Sequence, residues 1–342
     1  GDADNLASLA SLAVESADQS CIGYASYIDG DYLYMITEEV DSANRGLAVI
    51  DISNPSAPVQ VGYLEGGANT TTIGRAIWKD GSHVYLPSFA TDGSLASIDV
   101  SNPTTPVLSD ELVLAYDVAA VNPEKMALVW PRLYVPWEND LHIVDVSNPG
   151  NLVLESKYVI PNASSYNQCV LETDTVLWAL DTTGVLTGLS LDTPSTPTEI
   201  GTLDDSTNLS NVVDFAIVQP YLYAMQATAG NVVDLTDPTA PEHFVRYDGF
   251  SGIKSFETDG QNILYAASIT GSGAFYAADQ RSNEYVDYDE RPFEFDGSFD
   301  TDSRIYLQAQ GPATVLAITY DAEDSDNEAD DAMQAVRSTN GG

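Results

Sequence analysis

Leu47-Ala48-Val49-Ile50-Asp51-Ile52-Ser53-Asn54-Pro55 returns as Leu95-Ala96-Ser97-Ile98-Asp99-Val100-Ser101-Asn102-Pro103, and again as Leu141-His142-Ile143-Val144-Asp145-Val146-Ser147-Asn148-Pro149. Weaker copies follow at Leu189-Ser190-Leu191-Asp192-Thr193-Pro194, where Ser190 takes the Asp place, and at Val232-Val233-Asp234-Leu235-Thr236-Asp237-Pro238. The equivalent positions fall about 45 residues apart, a period at which single units cannot bury their apolar face alone and must stack. A second marker is one aromatic in a short apolar run: Tyr34, Tyr85, Tyr134, Trp178, Tyr223, Tyr265 and Tyr306. Seven units result. The sixth and seventh lack the Asp-Pro signature but keep apolar runs at Ala274-Phe275-Tyr276-Ala277 and Val315-Leu316-Ala317-Ile318.

Each unit reads as four short strands divided by turn signals. Asp29-Gly30, Asp80-Gly81 and Asp259-Gly260 mark tight hairpins between the first two. The prolines of the Ser-Asn-Pro-x-x-Pro segment (Pro55 and Pro58, Pro103 and Pro106, Pro194 and Pro197, Pro238 and Pro241) end the third strand, because a fixed φ and a missing N–H stop the ladder. A fourth strand then starts, as in Val59-Gln60-Val61-Gly62-Tyr63. Four-stranded units repeated at this length predict an all-β chain, a seven-bladed β-propeller of four-stranded antiparallel blades over residues 1–320, with the aromatic series on second strands.

The motif Leu-x-[Val/Ile]-[Val/Ile]-Asp-[Val/Ile]-Ser-Asn-Pro resembles the LVIVD-repeat family of secreted or surface-anchored bacterial and archaeal propellers. The resemblance implies a propeller and an extracellular or cell-surface address. It implies no shared catalytic residues.

Ring closure needs a strand from outside the repeats, since an open edge invites pairing with other chains. Leu9-Ala10-Ser11-Leu12-Ala13-Val14-Glu15 aligns with the fourth strand of a repeat, so a strand over about 8–15 is expected to pair with Val315–Tyr320. Ala332-Met333-Gln334-Ala335-Val336 is the rival. Either could instead swap into a neighbouring copy and carry self-assembly. Residues 321–342 read as an acidic C-terminal tail. Its stretch 321–331 lacks the glycine an EF-hand loop requires, leaving Asp324, Asp326 and Glu328 as weak calcium candidates.

The 342 residues hold 52 Asp and Glu against 12 Lys and Arg, a net charge of −40 that repels phosphate backbones and anionic membranes. Nucleic acid is therefore excluded as a partner. A hydrophobic share of 44% supports a full core. The longest uncharged stretch, Phe215 to Val233, is broken by Pro220 and Ala229-Gly230 and suits two strands better than a membrane helix. The start at Gly1, without a basic or long apolar leader, suggests a processed chain.

Catalytic chemistry has little foothold. Neither G-x-S-x-G nor HExxH occurs, and His83, His142 and His243 belong to different units, which favours surface packing over convergence. Asp51, Asp99, Asp145 and Asp234 read as turn acceptors before Ser-Asn-Pro, with a ring of cation sites as the alternative. Cys21 and Cys169 sit too far apart in the repeat to bond within one ring, leaving a disulfide between subunits open. Asn69, Asn162 and Asn208 are glycosylation sequons in equivalent loops. The resulting expectation is a non-enzymatic extracellular propeller without a cofactor, save calcium. It would act through self-association or contacts with other surface proteins, as an adhesin, coat or filament subunit. A calcium- or glycan-binding module is the first alternative and a propeller hydrolase the second.

Overall fold

The structure is a computed structural model; it describes residues 6–16, 21–39, 44–54, 56–68, 76–87, 89, 91, 93–114, 123–137, 139–159, 166–248, and the strands named below from 253 onward. The chain opens with β1 (Leu6–Ala13). Five four-stranded antiparallel sheets follow, each paired in chain order. They are β2 (Cys21–Asp29), β3 (Tyr32–Glu39), β4 (Asn44–Asp51) and β5 (Val59–Ala68); then β6 (Trp78–Asp80), β7 (His83–Pro87), β8 (Ser94–Asp99) and β9 (Val107–Val113). The third is β10 (Ala127–Val129), β11 (Arg132–Trp137), β12 (Asp140–Asp145) and β13 (Val153–Val159). The fourth is β14 (Tyr166–Thr173), β15 (Val176–Asp181), β16 (Val185–Ser190) and β17 (Thr198–Asp204), and the fifth β18 (Val212–Val218), β19 (Tyr221–Gln226), β20 (Ala229–Asp234) and β21 (Glu242–Asp248). Beyond them β22 (Ile253–Thr258), β23 (Ile263–Ser268), β24 (Ala274–Asp279) and β25 (Asp289–Arg291) pair in order. Finally β26 (Arg304–Ala309), β27 (Thr314–Tyr320) and β28 (Ala332–Ser338) pair with β1 outermost. No described helix is long and apolar enough to cross a membrane.

Where each sheet meets the next decides the architecture. Middle strands are buried at every position but their ends, as in β4, whereas the outer strands β13 and β21 alternate exposed and half-buried residues. Both faces of a middle strand are therefore covered. One apolar layer joins Ile36, Leu47 and Val49 to Val84, Leu86 and Ile98, and the next joins Tyr85 and Leu95 to Leu133, Val135 and Val144. Tyr134, Leu141 and Ile143 pack on Leu177, Ala179 and Leu189, and Trp178 and Leu186 on Phe215, Leu222 and Val233. Each fully buried Leu, Val or Ile contributes about 1.5–3 kcal/mol. First strands lie side by side: β2 by β6, β10 by β14, β14 by β18, β18 by β22, β22 by β26, and β26 by β2. Sheets stacked face to face with their first strands innermost make a β-propeller.

The aromatic series lies on second strands through Tyr265, and the five aromatics up to Tyr223 are buried. Across the ladder Tyr34 faces Val49, Tyr134 faces Ile143, and Trp178 faces Gly188. A Cβ at Gly188 would lie 2.7 Å from the Trp178 ring, so the larger indole takes the space that a side chain fills elsewhere. This exchange of volume puts a Gly where the first and third copies of the motif carry Val49 and Ile143.

The last sheet departs from expectation. Tyr306 lies on β26, a first strand, and the Val315–Ile318 run lies on β27, a second strand. The N-terminal strand pairs not with 315–320 but with β28, from Leu6↔Ser338 to Ala13↔Ala332, while β28 pairs with β27. The two segments read as rivals both enter the sheet. With both outer places filled by terminal segments, the last repeat supplies only the two inner strands. Residues from 321 onward are thus not tail throughout.

Candidate functional site

The corner that follows each third strand is the most repeated polar feature. Asp51 Oδ1 accepts from Ser53 N at 2.9 Å; Asp99, Asp145 and Asp234 accept from Ser101, Ser147 and Thr236 at 2.8 Å. In the fourth blade Ser190 Oγ accepts from Asp192 N at 3.2 Å. A second turn is capped by the next polar residue: Asn54, Asn102, Asn148 and Asp237 accept from the amide two residues on. Asx turns of this kind satisfy amides that the proline-broken ladder leaves over. Donation by the Ser53 hydroxyl and amide holds Asp51 below the usual carboxylate range, and the Ser101 amide and hydroxyl do the same for Asp99. Among the described residues no three His, Cys, Asp or Glu gather where a metal ion could sit.

These corners also stitch the ring. In every one of the five sheets a register shift falls between third and fourth strand at the same place: Val49/Ile50, Ser97/Ile98, Ile143/Val144, Gly188/Leu189 and Val232/Val233. The residue just past this β-bulge meets the corner of the following blade. A Cβ on Gly62 would overlap the Pro103 carbonyl oxygen, and one on Gly201 that of Pro238. Asp110 Oδ2 instead accepts from Leu152 N at 2.6 Å, and Ser156 Oγ donates to Ser195 O at 2.5 Å. Sequence reasoning missed this contact, although a Gly, Asp or Ser at one fixed distance after the corner Asp or Ser was its visible trace.

A further polar group spans the innermost strands. Lys125 Nζ donates to Asp214 Oδ1 at 2.8 Å and to Phe215 O at 2.9 Å, reaching past the fourth blade to the fifth. Gln168, buried between them, donates to Val212 O, Val213 O and Glu124 Oε2. Nothing in the sequence marks this cluster, since each of its residues occurs once and in no repeat position.

The other residues singled out do not converge. His142 does not pack on the surface: it is fully buried on β12, and burial pushes it down to about 4. The correction follows from its register, for His142 stands where Ala48 and Ala96 are buried in earlier blades. His83 Nδ1 lies 3.1 Å from Ser82 Oγ on β7, and His243 lies on β21. Cys21 and Cys169 are both buried thiols, not joined to each other. Cys169 donates to Tyr134 O at 3.5 Å inside a core layer, so a bond to another subunit would require that layer to open. Asn208 Nδ2 donates to Asp205 Oδ2 at 2.8 Å, a bond that glycosylation there would break. Asn69, Asn162, Asp324, Asp326 and Glu328 lie outside the described residues.

Comparison with known proteins agrees with this architecture. The LVIVD repeat family model matches residues 23–65, 79–112 and 133–159, so over those three units the chain is similar to LVIVD-repeat proteins. No curated protein matches it. Among solved structures it is similar to Chaetomium thermophilum Raptor, with a TM-score of 0.71 and 10% identity over 98% of this chain and 29% of that one. It is also similar to the WD40 β-propeller domain of Doa1 (TM-score 0.62, 10% identity, 95% of each chain). A functionally unknown protein from Desulfotomaculum acetoxidans DSM 771 follows (TM-score 0.60, 11% identity, 83% of this chain and 89% of that one). At such identities the likeness is one of fold alone. The chain spans less than a third of the Raptor chain.

Proposed function

We propose that the chain is a non-enzymatic, seven-bladed propeller that works outside the cell through protein contacts, as an adhesin or as a surface or filament subunit. The observation that carries this reading is a row of exposed valines at one register. Val59, Val107 and Val153 each open a fourth strand opposite a corner aspartate and are 55%, 58% and 45% exposed. An apolar residue kept in water at the same point of successive repeats is what contact with another protein would use. The most repeated carboxylates, by contrast, are occupied in capping their own turns. The acidic surface and the LVIVD likeness support the extracellular address.

Electron microscopy and sedimentation of native material, with and without EDTA, test the reading. Sevenfold rings in assemblies or complexes that survive EDTA are expected. Assemblies dissolved by EDTA would instead favour the calcium-binding module, and a persistent lone monomer would refute the protein-contact reading.

A further inference from the structure

We infer that the corner-bearing face of the first three blades docks a cationic protein segment whose Lys or Arg residues flank apolar side chains; this rests on the protein-contact reading and names its partner. Trp130 adds the strongest anchor, being 57% exposed in the turn between β10 and β11. That turn is at the corner end of the blade, because Val146 N donates to Pro131 O at 2.9 Å. Corner and strand alternate along one rim: Gly62 of β5 abuts Pro103 and Pro106, which lead into Val107, and Asp110 of β9 holds the amide of Leu152, which leads into Val153. Val59, Val107 and Val153 therefore follow one another along the outer strands of the first three blades, and Trp130 lies at the same end on the inner hairpin of the third. A single exposed valine is ordinary, but valines exposed at one register in three successive blades offer the apolar surface that protein contacts use, and an exposed Trp at the same end supplies a hot-spot anchor.

Charge selects the occupant. Asp51, Asp99 and Asp145 alternate with the valines and stay ionised, and Asp31 and Asp192 are exposed at the same end. The cations nearest the rim are already engaged, Lys79 with Asp29 and Arg132 with Glu155 at 2.7 Å. Complementary charge steers and specifies a partner of opposite sign. A second copy does not supply it, since the chain carries 52 acidic residues against 12 basic ones.

Fluorescence anisotropy of the full chain in 0.15 M NaCl, about the physiological ionic strength, tests the inference with three labelled peptides of equal length. One alternates Arg with Leu and Phe, one is oligolysine of the same charge, and one replaces Arg by Glu. The Arg peptide should bind roughly tenfold or more tightly than oligolysine, and the Glu peptide should not bind. The triple variant Val107→Ser, Trp130→Ser, Val153→Ser should lose about tenfold for the Arg peptide, leave oligolysine unchanged and melt as before. Phe244→Ser, on the fifth blade and equally exposed, should change nothing. Equal binding of oligolysine and the Arg peptide, or undiminished binding by the triple variant, overturns this inference. Sedimented complexes that survive the triple substitution would overturn the corner face alone, leaving the protein-contact reading in place.

Discussion

The corners and the layers between blades solve opposite problems with the same repeat. A corner is polar and half exposed, and over the first three blades its sequence barely varies, because an Asx turn needs one acceptor at one spacing. A layer is apolar and dry, and its sequence varies freely, because volume can be exchanged across it, as Trp178 and Gly188 do where Tyr34 and Val49 stand elsewhere. The corner keeps residue identity; the layer keeps only total volume.

The hardest way to break that contrast is to empty a layer. Trp178→Ala should cost about 3–5 kcal/mol, read as a fall in the denaturant midpoint, because Gly188 opposite cannot refill the space. Trp178→Ala with Gly188→Val should recover part of that loss. If it does not, volume exchange is the wrong account.

Acid tests the layer by charge. The folded ring keeps His142 neutral down to about pH 4, while the unfolded chain protonates it near pH 6.5. The unfolded state therefore binds the extra proton, and up to about 3 kcal/mol of stability drains away as pH falls from about 6.5 toward 4. The groups facing the ring add to this or oppose it: Lys157 disfavours the imidazolium, Asp140 favours it. His142→Leu should flatten the slope in that window. Corner aspartates act lower down, for their depressed values mean their support is lost only as pH falls below about 3.8.

Contact between corner and bulge comes next. Gly62→Ala should cost about 1–3 kcal/mol, because its methyl would meet main chain at Pro103 rather than a movable side chain. The smallest effect belongs to the corner itself. Asp99→Ala should cost about 1 kcal/mol, the worth of one exposed turn bond, and Asp99→Asn should retain most of it. A larger loss for Asp99→Ala than for Trp178→Ala would invert the comparison.

This division explains what could be read beforehand. Corners were legible because an Asp, a Ser-Asn and a Pro at fixed spacing have one physical use. The burial of His142 was not, since a strand alternating in and out says nothing of whether a neighbouring sheet covers the outward side. Closure was half legible: both terminal segments looked like strands, but without a corner signature after Ile318 nothing fixed their order. The rim of exposed valines was visible as a Val opening the fourth strand of each of the first three units, yet only burial separates it from core.

The pairing of Leu6 with Ser338 also sets an order of events. β1, synthesised before the inner blades, finds its place only beside β28, synthesised after them. Every inner blade can stack as it emerges, while the first strand waits with one edge unsatisfied. Loop closure over so long a span costs little more than over a short one, but it delays the final contact. The ring is thus a clasp that cannot fasten before its far end arrives, and premature release would leave it open.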